Sequence, residues 1–152
     1  VLPVLGENLR GEDVVTWVAE RIFEIEDQIR SKNEPVPTIA VLVDSEADVK
    51  PIAEALTKKL ESRSLIAAPC VDGQSLGNQS DIRVFDVQHI KGLEFEAVFC
   101  IGLDELVEAK PTLFERFLYV GATRAATYLG MVCHKKLPDT LEKLRPAFGI
   151  TW

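Results

Sequence analysis

Apolar residues recur along this chain with changing periods, and each change marks an element boundary. Val14, Val18, Ile22, Ile25 and Ile29 lie at helical spacing, so they share one face of an α-helix. Gly11-Glu12-Asp13 sets carboxylates where a helix N-terminus favours them, and Arg30, Lys32, Asn33 and Pro35 mark the end. The ten residues ahead, with Pro3 and Gly6, read as an irregular lead-in. Ile39–Val43 is an unbroken apolar run between Pro37 and Asp44, the pattern of a strand covered on both faces of a parallel sheet. Val49, Ile52, Ala53, Leu56 and Leu60 return to helical spacing. Asp44 or Ser45 caps this second helix, and Pro51 fits only if the helix begins a few residues before it. Asp44, at a strand's carboxyl end, is alternatively placed as a metal or phosphoacceptor ligand.

Residues 65–68, 82–87, 97–101 and 128–133 are further apolar runs that predict strands, and residues 72–80 have loop composition. Gly102-Leu103-Asp104 reads as a turn into a polar connection. A helix is predicted from Thr112, because Pro111 precedes it and Glu115 stands at capping-box spacing. A closing helix is predicted over 138–148, with Leu141 and Leu144 inward and Gly149 ending it. Strands alternating with helices predict an α/β domain of three layers around a mostly parallel sheet. With 152 residues and 47% hydrophobic content, residues 1–152 read as a single domain with a sizeable core. Neither a run of about 18 apolar residues nor a charged-then-apolar leader pattern occurs.

Two short constellations carry the chemistry, on either side of the run at 97–101. Lys91-Gly92-Leu93-Glu94-Phe95 places a cation, a residue without a side chain and a carboxylate within four positions. Glycine lets a ligand approach the backbone, lysine meets a phosphate, and a carboxylate accepts hydrogen bonds from ribose hydroxyls. In the second, Leu113, Phe117, Val120 and Arg124 continue one helical row that is apolar except for Arg124. A guanidinium there requires a carboxylate or an anionic ligand, since burying it unpaired costs several kcal/mol, roughly.

Lys91-Gly92-Leu93-Glu94-Phe95, followed by Leu118-Tyr119-Val120-Gly121-Ala122-Thr123-Arg124-Ala125, resembles the fifth and sixth motifs of UvrD/Rep-type superfamily 1 DNA helicases. Weaker similarity extends upstream through residues 38–56. The resemblance implies the second, C-terminal RecA-like domain of such an enzyme, with a P-loop NTPase-like fold. It implies that Arg124 is the catalytic arginine finger and that Lys91, Gly92, Glu94 and Arg124 meet the nucleotide. It further implies that Gln88, His89 and Thr123 face single-stranded DNA. Many relatives carry threonine and histidine where this chain has Asp86 and Gln88, and its histidine, His89, stands one place later. Larger relatives insert a subdomain between positions equivalent to 60 and 82, for which this chain has no room, so a minimal second domain is implied.

No Gly-x-x-x-x-Gly-Lys-Ser/Thr loop occurs, and no apolar strand ends in paired acidic residues. The chain therefore holds half of an ATP site. The resemblance assigns ATP as the cofactor, with magnesium held by an N-terminal RecA-like domain of the same parent chain, and the chain alone is expected to be inactive. Net charge is −7, a balance that suits an independent nucleic-acid grip poorly. Two rival readings follow: a RecA-like module kept for interaction or regulation, and a self-contained flavodoxin- or receiver-type domain resting on Asp44 and strand count alone. Cys70, Cys100 and Cys133 are odd in number and far apart, which fits buried thiols and a cytoplasmic setting better than a disulfide or zinc site. No metal ligand set is read in the chain.

Overall fold

The structure, a computed structural model, describes residues 1–72, 82–89, 95–117 and 127–152, with 116 and 117 as backbone only. Its centre is a sheet of six strands: β1 (Val4–Gly6), β2 (Ile39–Val43), β3 (Ala67–Cys70), β4 (Ile82–Asp86), β5 (Ala97–Ile101) and β6 (Tyr128–Val132). They lie in the order β1-β6-β5-β2-β4-β3, and every pairing is parallel. β2 and β5 are central, and all five residues of each are buried. Their unbroken apolar sequence follows from that position, because helices cover both faces of a parallel sheet and leave no solvent side to alternate with.

One face carries α1 (Glu12–Lys32) and α2 (Glu46–Leu60). Val18, Ile22, Ile25, Val49, Ala53 and Leu56 pack there against Ile39, Val41, Phe99 and Ile101. The opposite face takes α3 (Leu103–Ala109), α4 (Pro111–Phe117) and the chain beyond β6. There Leu103, Leu106 and Phe114 pack on Ala40, Leu42, Val98 and Cys100. Even and odd strand positions thus serve separate cores, which makes three layers.

The predicted helix signals act where they were read. Asn33 ends α1 in the left-handed conformation, φ 58°, with its N–H donating back to Arg30 O. Ser45, rather than Asp44, caps α2, its hydroxyl accepting from Ala47 N at 3.3 Å. Pro51 sits in the second turn of α2. Within α1, the buried Glu26 carboxylate is held between Arg30 and Arg63, the pairing that a buried charge demands.

Four expectations need correction. The lead-in contains a strand: β1 pairs with β6, Val4 opposite Gly130, and Leu5 N also donates to Gly149 O. Three residues beside Pro3 and Gly6 carry too little local pattern to show it. The connection after Gly102 is the helix α3, whose Leu103 and Leu106 are buried among acidic neighbours; charge masked its apolar spacing. The third strand lies two residues later than read. The segment after Pro138 is a 3₁₀ turn over Asp139–Ala147 with Pro146 inside it, and Leu144 is 42% exposed rather than inward. Pro146 cannot donate the backbone bond that an α-helix would need there. Among the described residues, no helix is long and apolar enough to cross a membrane.

Candidate functional site

All six strands run the same way, so their carboxyl ends share one edge. After β2 the chain moves toward β3, whereas after β5 it moves the other way, toward β6. β2 and β5 are neighbours, so the connections diverge between them, and a crevice outside their carboxyl ends is the expected ligand position of an open α/β sheet. A cleft of about 250 Å³ lies there, walled by Asp44, Asp48, Glu105 and His134 over Val43 and Ile101.

The wall is built with care for its buried charges. Asp104, 5% exposed, accepts His134 N at 3.0 Å on one oxygen and Lys135 N at 2.9 Å on the other. His134 Nδ1 lies 2.9 Å from Leu9 O, so it donates to that carbonyl, which fixes the ring. Nε2 flanks Gly102, where an added Cβ would come within 3.4 Å of it and where φ is 80°. His134, just beyond β6, is thus part of the crevice wall. Asp104→Ala removes the acceptor from each of two backbone donors, and a loss of about 2–3 kcal/mol is expected in urea unfolding. Asp104→Asn, which keeps an acceptor, should lose less.

Electrostatics argues against phosphate in this crevice. Three carboxylates and a histidine line it, so a triphosphate would meet like charge with no fixed cation on the described wall.

A second cleft, of about 540 Å³, opens beside it, between the 3₁₀ turn Val87–His89 that follows β4 and the junction of α3 with α4. Gln88, His89, Lys110 and Thr112 line it. Gln88 is exposed and His89 half-exposed. Lys110 joins the two helices: its N–H donates to Leu106 O, its carbonyl accepts from Phe114 N, and its ammonium donates to Asp44 O at 2.9 Å. α4 therefore begins with Pro111 at its first position, one residue ahead of the predicted start. An amide, an imidazole, an ammonium and a hydroxyl around an open groove are donors suited to phosphodiester oxygens. Lys110 and Thr112 were not read as site residues, since nothing in the sequence places the α3–α4 junction beside Gln88.

Of the residues predicted to serve nucleotide or DNA, the structure brings Gln88 and His89 together. Lys91, Gly92, Glu94, Thr123 and Arg124 lie outside the described residues. Asp86, which departs from the family pattern, is buried at the end of β4, and its Oδ1 accepts Gln88 N at 3.0 Å. That bond shapes the turn presenting Gln88. Cys70, Cys100 and Cys133 are all buried. Burial pushes the Cys100 and Cys133 thiols up, that of Cys133 to about 12, with Asp104 adding to it. Both stay protonated and unreactive at neutral pH.

Comparison with known proteins bears on the same stretch. Residues 81–132 match the family model of the UvrD-like helicase C-terminal domain. A 48-residue segment is 38% identical to the RecBCD enzyme subunit RecB of Chlamydia muridarum, covering 32% of this chain and 5% of that much longer protein. The structure is similar to the crystal structure of the C-terminal domain of a possible DNA helicase from Lactobacillus plantarum WCFS1. The TM-score is 0.66 at 22% identity, over 93% of this chain and 80% of that one. The matched family stretch contains both constellations, and the all-parallel α/β fold agrees with a helicase C-terminal domain, so the resemblance of this chain to the C-terminal domain of UvrD-like DNA helicases stands.

Proposed function

We propose that residues 1–152 act as the second RecA-like domain of an ATP-dependent DNA helicase or translocase. In this reading they supply an arginine finger and part of the nucleotide and single-stranded DNA sites to a longer parent chain. The observation that carries the reading is the pair of motifs, Lys91 to Phe95 and Tyr119 to Ala125, inside the stretch that matches the family model. Arg124 meets the γ-phosphate when the two RecA-like domains close on ATP; Lys91, Gly92 and Glu94 meet the nucleotide, and Thr123 the DNA. The phosphate-binding loop and the magnesium ligands belong to the preceding domain. The acidic crevice beside β2 and β5 supports this division of labour, because it is unsuited to hold the phosphates by itself.

Gln88, His89, Lys110 and Thr112 form the DNA-facing groove. Few cations line it, so the chain alone should bind single-stranded DNA weakly. A log-log plot of affinity against salt should fall with a slope of about −0.7 to −2, corresponding to about one to three phosphates. Lys110→Gln should flatten the slope. Binding that survives high salt unchanged, or that is indifferent to Lys110, would contradict the assignment.

A second reading, a RecA-like interaction module without catalysis, is favoured by the net charge of −7. It predicts that substitutions at Arg124 leave ATP turnover of the parent unchanged.

A further inference from the structure

Glu46, Asp86 and His89 each offer one metal-ligating atom, and these atoms all lie within 4.8 Å of one another. They come from separate elements: Glu46 opens α2, Asp86 ends β4 opposite Val43 of β2, and His89 closes the 3₁₀ turn. Glu46 Oε2 and His89 Nδ1 face each other at 3.4 Å. Both atoms are sealed from solvent and, among the described residues, lack a hydrogen-bond partner. Two such atoms turned together are costly unless something electropositive lies between them.

The other atoms of the cluster are already committed in ways that aim these two. Glu46 Oε1 accepts Asp72 N at 2.7 Å, which leaves Oε2 for the cluster. Asp86, 5% exposed, is oriented by the bond from Gln88 N to its Oδ1. Backbone donors that fix carboxylates in this way are the usual outer support of a metal site. Ligands about 2.1 Å from one tetrahedral cation lie about 3.4 Å apart, which matches the Glu46–His89 edge.

We propose that Glu46, Asp86 and His89 form a binding site for a divalent transition-metal cation of the zinc type, with His89 ligating through Nδ1. One imidazole and two carboxylates form a borderline-hard donor set that suits zinc, cobalt or manganese. Two carboxylate charges balance the cation's two. The cation ties the first turn of α2 to the turn after β4, two residues ahead of Lys91, while His89 Nε2 remains available to the groove. This site shares His89 with the DNA-facing groove, but its evidence is the geometry of Glu46, Asp86 and His89 and does not rest on the helicase reading. The opposing arrangement is a protonated His89 paired with Glu46 and no metal.

Equilibrium dialysis of the 152-residue chain against Zn²⁺, and separately Co²⁺, tests the proposal. The expected result is one equivalent per chain, with a cobalt spectrum of nitrogen and oxygen ligation that lacks a sulfur charge-transfer band. Glu46→Gln and His89→Ala should each weaken binding more than about ten-fold, and metal should raise the melting temperature of the wild type but not of either variant. Glu46→Gln preserves side-chain size at a partly exposed position, so it remains readable if His89→Ala fails to fold. Retention of no metal, equal retention by wild type and Glu46→Gln, or a sulfur band pointing to the cysteines would each overturn the site.

Discussion

Arg124→Ala is expected to lower DNA-stimulated ATP turnover of the parent protein by about a thousand-fold or more, while residues 1–152 keep their fold. In the sequence, Leu113, Phe117, Val120 and Arg124 stand at helical spacing, and a single guanidinium follows apolar positions. A cation so placed needs an anion, and the family resemblance names the γ-phosphate. An arginine finger acts only in the closed, ATP-bound state, so its loss should spare folding. A structural arginine predicts the reverse: its removal strands a carboxylate and costs about 3–5 kcal/mol of stability. Thermal melts of the variant chain, run beside phosphate-release assays of the variant parent, separate the two. An unfolded chain or a parent hydrolysing ATP at the wild-type rate removes Arg124 from the active site.

Phe99→Ala is expected to cost about 3–5 kcal/mol, a large part of the about 5–15 kcal/mol that stabilises a typical domain. Phe99 is fully buried at the centre of β5. Its ring meets Trp17 of α1 edge-on at 6.4 Å and Trp152 at 5.8 Å, so it joins sheet, helix and C-terminal residues in one aromatic cluster. Beneath it, β6 supplies Gly130, where an added Cβ would stand 2.5 Å from the ring. The ring has no room to move, and its removal leaves a cavity that rigid strands cannot close. Urea unfolding measures the effect; a change under about 1 kcal/mol would mean that the cluster does not hold the sheet to α1.

The elements legible in the sequence were those whose local pattern and tertiary role agree. Ile39–Val43 and Ala97–Ile101 are apolar throughout because both faces of the central strands are covered, and their observed bounds coincide with the read ones. α1 carried its stripe, its acidic first turn and its Asn33 terminus in plain view. β1 was illegible because three residues pair with β6 only once the sheet exists. α3 was overlooked because Asp104, the polar residue that suggested a loop, is buried to hold the backbone after β6, a use visible only in three dimensions.

The candidate site divides in the same way. Gln88 and His89 were read from their place before the Lys91 loop, and both line the groove. Lys110 and Thr112 lie more than twenty residues away in sequence and reach that groove through the helix junction. Glu46, Asp86 and His89 have no motif spacing, and it is the pairing of β2 with β4 that gathers them.

The proposed function has residues 1–152 carry the half of an ATP site that completes a partner domain's half. Phosphate release by purified residues 1–152, with ATP, magnesium and single-stranded DNA, tests it most directly when measured beside the parent protein at equal molarity. Background hydrolysis by the chain alone and DNA-stimulated turnover by the parent are expected. Turnover by the chain alone of about 1 per second, within the ordinary range of enzymes, would show a complete site within these 152 residues and rule out the divided site.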